Sequence, residues 1–380
     1  MDKLKPILLL TVLTSWLIGT ASAQTVTRTE YQPIGFEEVA SGLEHPWSLA
    51  FLPDGSMLVT ERQGRLNHIT QDGDIKRIPN TPEVSAVRQG GLLEVLPHPD
   101  FEDNKIVYMT YAKKDPDGSN NTATALARGF LVNDELVAVE DIFVQNRYSQ
   151  PGRHYGSKLA WMPDGTLLMS IGDRGSEPPR AQDLSDHAGS LLRLTELGEP
   201  AADNPFIGHS DALPEIYSYG NRNIQGLIVD SGTGAIWATE HGPRGGDELN
   251  LIEPGSNYGW PVVSLGRDYR TEEQFANGQR EHPDMVNPKV DWTPGLAPSG
   301  LVQLNGEHFG PWEGNFLAGG LRTEQLRRLV FEDGEVVHEE EILRGQLGRI
   351  RDVRVGPDNN VYVVTDSPNG SVYRIYPVNN

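Results

Sequence analysis

The chain contains no cysteine among its 380 residues. It can therefore form neither a disulfide nor a thiolate-ligated metal site, and the lipid-anchored processing of a secretion signal, which requires cysteine, is excluded. Long amphipathic helical patterns are almost absent. The chain also lacks a Gly-x-Ser-x-Gly elbow, a glycine-rich nucleotide loop before a helix and a His-Glu-x-x-His motif. These absences disfavour serine-hydrolase, nucleotide-binding and zinc-protease chemistry.

Long apolar runs are also scarce, since the only one covers residues 7–18. Lys3 and Lys5 precede it and Ala21-Ser22-Ala23 follows it, which predicts a cleaved secretion signal at residues 1–23 and a mature chain of residues 24–380. A membrane anchor is the alternative, but the run is short for a span. The net charge of −21 argues against nucleic acid and anionic lipid as partners.

A repeated hairpin pattern takes the place of helices. An apolar strand, a turn that is usually Asp-Gly or a close relative, and a second apolar strand recur six times, which is typical of β-hairpins. The copies begin at Ser48, Leu92, Leu159, Gly226, Gly300 and Val353. Six units, each too small to bury its own face, predict an all-β fold, a single six-bladed β-propeller. Residues 24–40 are expected to supply an outer strand that closes the ring; a β-sandwich or two β domains is the alternative.

Polar and cationic side chains recur in the segments just before four of these hairpins. They are Arg88 and Gln89, then Arg153, His154 and Lys158, then Asn221, Arg222, Asn223 and Gln225, and finally Arg349 and Arg351. Ring closure would bring them to one central pocket, where several arginines and amides favour an anionic ligand. His154 could exchange a proton there near neutral pH. A structural role for His154, and blade-to-blade ion pairs for the arginines, remain the alternatives.

A second group of polar residues follows the fourth hairpin. The backbone carbonyls of Gly242 and Pro243, together with Asp247, Glu248 and Tyr258, offer oxygen donors of the kind that suits Ca²⁺. Gly-Gly-Asp is also common in turns, so an ordinary turn is the alternative. Trp260 is expected to pack in the core.

The order and spacing of several motifs resemble a known family, the soluble quinoprotein sugar dehydrogenases. The motifs are GLEHPWSLAFLPDG, QGGLLEVLPHPDF, IGDRG, YGNRNIQGL, EHGPRGGDELN, NYGWP and RIRDVRVGPDNNVYVVTD. The likeness covers nearly the whole mature chain and is strongest to the shorter, periplasmic aldose sugar dehydrogenases. It implies a six-bladed propeller that uses pyrroloquinoline quinone (PQQ) and Ca²⁺ to oxidise aldoses.

The resemblance also implies roles for individual residues. His154 would be the general base, and Arg222 would stabilise charge on the quinone oxygen. Residues implied to contact PQQ are Gln89, Arg222, Asn223, Tyr269, Gly320, Leu321, Arg322, Arg349, Ile350 and Arg351. Residues implied to hold calcium are Gly242 and Pro243 at the catalytic ion, and Asp247, Glu248 and Tyr258 at a structural one. Two departures are Arg322, where the glucose enzyme of the family has lysine, and Arg153, where it has an acid.

The implied partners are aldose sugars and an electron acceptor outside the cytoplasm, with no nucleic acid and no membrane span. We expect a periplasmic or secreted monomer or homodimer. Two other functions remain open, a metal-dependent propeller lactonase and a binding propeller without catalysis. A lactonase would require a carboxylate-rich pocket, whereas the segments before these hairpins carry arginine, amides and histidine.

Overall fold

The computed structural model describes residues 25–378, so the predicted signal at residues 1–23 lies outside the described part. The strands form six antiparallel sheets. Two strands precede the first repeat, β1 (Thr25–Arg28) and β2 (Pro33–Leu43). Blade 1 contains β3 (Pro46–Phe51), β4 (Met57–Glu61), β5 (Arg65–Ile69) and β6 (Ile75–Ile78). Blade 2 contains β7 (Leu92–Pro97), β8 (Ile106–Lys114), β9 (Thr122–Val132) and β10 (Glu135–Val144).

The remaining blades follow the same order from the inner to the outer strand. Blade 3 contains β11 (Leu159–Trp161), β12 (Leu167–Ile171), β13 (Ser190–Leu194) and β14 (Ile216–Ser218). Blade 4 contains β15 (Ile224–Val229), β16 (Ile236–Glu240), β17 (Glu248–Ile252) and β18 (Val290–Asp291). Blade 5 contains β19 (Pro298–Gln303), β20 (Phe316–Gly320), β21 (Gln325–Glu332) and β22 (Glu335–Ile342). Blade 6 contains β23 (Ile350–Val355), β24 (Val361–Thr365) and β25 (Gly370–Pro377), with β2 and β1 outside them.

The six inner strands form a closed ring, because each one contacts the inner strand of the next blade and β23 contacts β3. The predicted six-bladed propeller is therefore confirmed. The six repeated hairpins are the two innermost strands of each blade. This follows from their composition, since inner strands are buried on both faces and read as continuous apolar runs.

The ring is closed by pairing between distant parts of the chain. β2 runs antiparallel to β25, with Phe36 opposite Ile375 and Ala40 opposite Val372. The predicted closing strand is thus present, and β1 adds a further edge strand to it. Closure depends on hydrogen bonds and packing rather than on a covalent link, in keeping with the absence of cysteine.

The hydrophobic core lies between the blades rather than within any one of them. One cluster joins Leu58 and Leu66 of blade 1 to Val107 and Met109 of blade 2, all fully buried. In the described part of the chain, helical structure is confined to α1 (Phe101–Asn104) and three short 3₁₀ turns, at Pro178–Gln182, Phe275–Gly278 and Glu307–Trp312. Across residues 25–378, no helix combines the length and the apolar character that crossing a bilayer requires.

A buried network of four charges occupies the axis beside the inner strands. Lys158 Nζ lies 2.8 Å from Asp352 Oδ1 and 2.9 Å from Glu94 Oε2, and Arg354 pairs with both carboxylates. The ammonium of Lys158 also lies 4.8 Å from the centre of the Trp47 ring. Two cations balance two anions, so the network has no net charge. Buried charges are tolerated when they are paired in this way, and the network packs against the Trp47 ring.

Candidate active site

Two adjoining cavities lie where the inner hairpins begin and end. The central cavity has a volume of about 130 Å³ and is lined by residues from all six blades, among them Arg62, Gln89, Gly156, Asn223, Leu321 and Arg351. The side cavity has a volume of about 250 Å³ and is lined by Gly242, Pro243, Asp247, Tyr269 and Arg322. His241 and Ala297 line both, so most of the residues predicted from separate motifs meet in one region.

The cations of blade 6 are held at the central cavity by one carboxylate. Arg349 Nη2 and Arg351 Nη2 lie 3.1 and 3.3 Å from Asp366 Oδ2, and Arg351 Nη1 donates to Gln225 Oε1 at 3.2 Å. Burial opposes ionisation of Asp366, but Arg351, His45 and Arg349 outweigh it and hold the pKa of its carboxyl well below the usual range. One carboxylate faces two arginines, so this wall keeps net positive charge.

His154 is buried in a strained turn next to this cavity. Its side chain is 8% exposed, its φ is +57°, and its backbone N–H donates to Gln89 Oε1 at 2.9 Å. Nδ1 lies 2.6 Å from Asp173 Oδ1, whereas Nε2 has no partner within residues 25–378. Burial lowers the pKa of His154, and the charge of Arg222 lowers it further. The imidazole is therefore neutral near pH 7, with Nε2 available to accept a proton once Nδ1 donates to Asp173.

Asp173 is a residue of this site that the sequence analysis missed. Besides His154, its carboxylate accepts hydrogen bonds from Trp260 Nε1 at 2.7 Å and from the Gly175 N–H at 2.7 Å. Burial raises the pKa of Asp173, but His154, Arg222 and Trp260 outweigh it and lower the pKa overall. The carboxylate stays ionised and orients the imidazole. Trp260 is buried in the core as expected, and its indole N–H also contacts the site directly.

Arg222 presents a buried donor that has no partner among residues 25–378. Nη1 donates to the His241 carbonyl oxygen at 2.9 Å, and the guanidinium carbon lies 5.1 Å from the centre of the Trp260 ring. Its Nε is buried without a hydrogen bond, and so is the Nε of Arg62 in the wall of the central cavity. Buried unsatisfied N–H groups are rare because they are costly. Donors of this type, beside an excess of arginine, fit an anionic cofactor such as PQQ.

The loop that would hold a catalytic calcium ion is shaped by Asp247. Its Oδ1 accepts the N–H of Gly242 at 2.9 Å and its Oδ2 accepts the N–H of Ala297 at 2.7 Å. A Cβ at Gly242 would lie 2.1 Å from the Gly246 carbonyl oxygen, so only glycine fits there. Carbonyls in a fixed loop are donors that Ca²⁺ accepts. The carboxylate of Asp247 is engaged in holding that loop.

Glu248 lies among like charges in blade 4. It stands opposite Glu240 on β16 and Asp291 on β18. Burial raises the pKa of Glu248 well above its usual range, with Glu240 adding to the effect, and burial raises the pKa of Glu240 to about 7. Asn250, whose amide nitrogen bonds Glu248, has a buried Oδ1 without a partner. Crowded carboxyls and an unsatisfied oxygen are a donor set that fits a cation.

Other predicted ligands are engaged elsewhere. The Tyr258 hydroxyl donates to the Leu251 carbonyl at 2.7 Å and accepts from the Glu253 N–H at 2.8 Å, so its side-chain oxygen already has partners. Within residues 25–378, no cluster of three or more histidine, aspartate or glutamate side chains is arranged to hold a metal ion. The two calcium sites therefore stay predictions.

The remaining predicted cofactor contacts differ in position. Leu321, Arg349 and Arg351 line the central cavity, and Arg322 lines the side cavity with the exposed Tyr269. Gly320 and Ile350 line neither of them. Ile350 is fully buried in the core between blades 5 and 6.

Four polar residues of the site share a position that the sequence analysis did not consider. Arg62, Asp173, His241 and Asp366 each follow the second strand of a repeated hairpin, one or two residues beyond β4, β12, β16 and β24. In an antiparallel hairpin the end of the second strand lies beside the start of the first. The repeated hairpin pattern therefore also predicts that residues just after the second strand lie at the site.

Comparison with known proteins agrees with this geometry. Residues 43–374 match the family model described as Glucose / Sorbosone dehydrogenase. Aldose sugar dehydrogenase YliI of Escherichia coli K12 is 36% identical over 357 residues, which cover 91% of this chain and 94% of that protein.

Solved structures give the same picture. The apo form of the soluble aldose sugar dehydrogenase from E. coli superposes with a TM-score of 0.87 at 35% identity, covering 91% of this chain and all of that one. The PQQ-bound aldose sugar dehydrogenase from Streptomyces coelicolor has a TM-score of 0.74 at 28% identity, covering 90% of this chain and 98% of that one.

Proposed function

Because the chain belongs to the glucose/sorbosone dehydrogenase family, we propose that it oxidises aldoses to lactones with PQQ and Ca²⁺ as cofactors. The observation that carries this proposal is the arginine-rich central cavity, which Arg62, Arg349 and Arg351 line. Arg62 and, beside the cavity against His241, Arg222 each keep a buried Nε–H that has no partner among the described residues. PQQ carries three carboxylates, and such donors bind carboxylates well. The chain would be exported through its signal at residues 1–23 and pass electrons to an acceptor outside the cytoplasm.

Binding would divide between the two cavities. Arg349 and Arg351 would hold cofactor carboxylates from blade 6, with Gln89 and Asn223 contacting its edge from blades 2 and 4. Arg322 and Tyr269 would contact it from the side cavity, where the carbonyls of Gly242 and Pro243 would hold the calcium ion. When bound, PQQ would supply the acceptor for the hydride of the anomeric carbon, and the calcium ion would polarise the quinone as a Lewis acid.

The protein's own residues would handle the proton and the charge. His154 Nε2 takes the proton of the anomeric hydroxyl, which turns the C–O bond of that carbon into the lactone carbonyl as the hydride leaves. Asp173 keeps the proton on Nδ1 and stabilises the imidazolium that forms. Arg222 stabilises negative charge that develops on the acceptor side. One hydride and one proton leave the sugar, so the oxidation to lactone is balanced.

The lactonase alternative finds less support in the cavity. Among the described residues that line the central cavity, Asp366 is the one carboxylate, and it is paired with two arginines. A hydrolytic metal centre in a propeller would require several free carboxylates there.

Reconstitution tests the proposal. The purified mature chain is mixed with PQQ, Ca²⁺, an aldose and an electron-accepting dye, and bleaching of the dye is followed. Bleaching that needs the quinone, the metal and the sugar together is expected, and the product should be the lactone. His154→Gln serves as the matched control, since it should bind the quinone but lose most turnover. Absence of bleaching with the quinone unbound would refute the proposal.

A further inference from the structure

Arg174 is an arginine whose burial calls for an explanation. It is 2% exposed and makes no ion pair with an acidic side chain within residues 25–378. Three other buried arginines are paired with carboxylates, Arg180 with Asp186, Arg193 with Asp164 and Asp203, and Arg328 with Glu340, whereas Arg222 beside the cavity also makes no ion pair within the described residues. In a chain with 53 acidic residues, a buried cation without one must have another set of partners.

The partners of Arg174 lie in the segment that carries His154 and in blade 2. Nη1 donates to the carbonyl oxygens of Arg153 and His154, at 3.2 and 3.4 Å. Nη2 donates to Thr122 Oγ1 at 3.0 Å and Nε to Ser149 Oγ at 3.3 Å. The guanidinium carbon lies 3.6 Å from the centre of the Tyr155 ring. A single planar cation therefore ties the His154 turn to blade 2.

The turn that Arg174 holds is conformationally costly. His154 and Ser157 have φ values of +57° and +83°, in a region that side chains other than glycine seldom adopt. The His154 carbonyl also packs so closely on the next loop that a Cβ at Gly172 would lie 2.2 Å from its oxygen. Such a conformation persists only where surrounding contacts hold it in place. The hydrogen bonds from Arg174 to the carbonyls of Arg153 and His154 are contacts of this kind.

Building on the proposed function, we propose that Arg174 is a positioning residue for the reaction: it holds the backbone of His154 in the left-handed turn that presents the imidazole to Asp173. Asp173 and Arg174 are adjacent in the sequence, and each positions a different part of His154. Asp173 holds the imidazole side chain through Nδ1, and Arg174 holds the carbonyls on either side of its α-carbon. Without the guanidinium, the carbonyls of Arg153 and His154 lose this donor, and the turn relaxes towards ordinary φ values.

The test follows the imidazole directly in the cofactor-free protein. A proton on Nδ1 that donates to a buried carboxylate at 2.6 Å gives a far-downfield NMR signal, which His154→Gln assigns by its disappearance. In Arg174→Gln we expect this signal to be lost or broadened. In the quinone-loaded enzyme kcat should fall about 100-fold, because misplacing a catalytic group by about 1 Å costs that much. Arg174→Lys keeps the positive charge but not the forked donors of the guanidinium. Its kcat should lie between those of the wild type and Arg174→Gln.

Two further measurements separate positioning from general stability. Quinone affinity should change less than about threefold in Arg174→Gln, because Arg174 itself lines neither cavity. Arg180→Gln is the control, since it also removes a buried arginine but one that pairs with Asp186; it should lower the melting temperature and keep the downfield signal. An unchanged signal and an unchanged kcat in Arg174→Gln would overturn the proposal.

Smaller changes keep the test decisive if both Arg174 variants fail to fold. Thr122→Val and Ser149→Ala each remove one hydroxyl that the guanidinium contacts, and each should weaken the downfield signal. Wild-type signals in both would overturn the proposal. If the wild-type protein shows no quinone-dependent turnover, the proposed function fails, whereas the NMR experiment still decides whether Arg174 positions His154.

Discussion

Replacing Asp173 by asparagine removes one charge and keeps the shape of the side chain. In the native protein both carboxylate oxygens accept hydrogen bonds. Oδ1 takes those of His154 Nδ1 and the Gly175 N–H, and Oδ2 takes that of Trp260 Nε1. An amide offers one acceptor oxygen and one NH₂ group, so it cannot satisfy donors on both sides.

Either orientation of the amide leaves a conflict. If the NH₂ group faces Trp260, two donors meet. If it faces His154, the imidazole must accept at Nδ1 and carry its proton on Nε2, the nitrogen that should receive the substrate proton. The lost charge also removes a contribution that raises the pKa of His154, so burial and Arg222 would lower it further. Both effects weaken His154 as a base.

The expected loss follows from the role of the base. General-base catalysis contributes about 10² to 10⁴ in rate, and a wrong imidazole tautomer alone can cost about 10⁴. We therefore expect kcat of Asp173→Asn to fall by about 10² to 10⁴. Quinone affinity should be nearly unchanged, because Asp173 lines neither cavity.

The assay measures kcat with saturating quinone, calcium and aldose, and quinone affinity by a separate titration. A second variant separates the two causes. Trp260→Phe keeps an aromatic face for Arg222 but removes the indole N–H, so in the double variant with Asp173→Asn the NH₂ group can turn away from His154. Partial recovery of kcat would identify the tautomer as the larger cause. A kcat within about threefold of wild type in Asp173→Asn would refute the reasoning.

Four further predictions concern charge at the axis and in the cavity. Lys158→Met should destabilise the protein by about 3 to 5 kcal/mol, because the buried carboxylates of Asp352 and Glu94 would then share a single cation, Arg354. An unchanged melting temperature would contradict this. Arg351→Gln should weaken PQQ binding about 10- to 100-fold, as expected for a hydrogen bond to a charged group, whereas Arg65→Gln, outside the cavity, should not. His154 should titrate below about pH 6.5 by NMR in the cofactor-free protein, because burial and Arg222 lower its pKa; titration at or above that value would be inconsistent with a buried neutral base. A calcium chelator should prevent reconstitution of activity, and full activity in its presence would exclude the metal role.

Much of the fold could be predicted because the repeat is a local signal. Apolar strands joined by Asp-Gly turns mark each hairpin, and six of them require a ring. The same reasoning placed Gln89, Asn223, Arg349 and Arg351 near the axis, where they line the central cavity. Asp173, Arg62 and Trp260 were not predicted as site residues, because Asp173 and Arg62 follow the repeated hairpins rather than precede them and Trp260 has the apolar character of a core residue.

The sequence by itself determined the blade count, the closing strand and the face on which polar residues gather, since these depend on periods that neighbouring residues reveal. The tertiary structure decided which side chains are partners. Lys158 meets Asp352 and Arg351 meets Gln225 across more than a hundred residues of chain. Asp173 meets His154 only because the His154 turn faces the loop of Asp173 and Arg174, in which Arg174 also has a positive φ, +61°. Such pairings depend on ring closure and on side-chain direction, which no local period encodes.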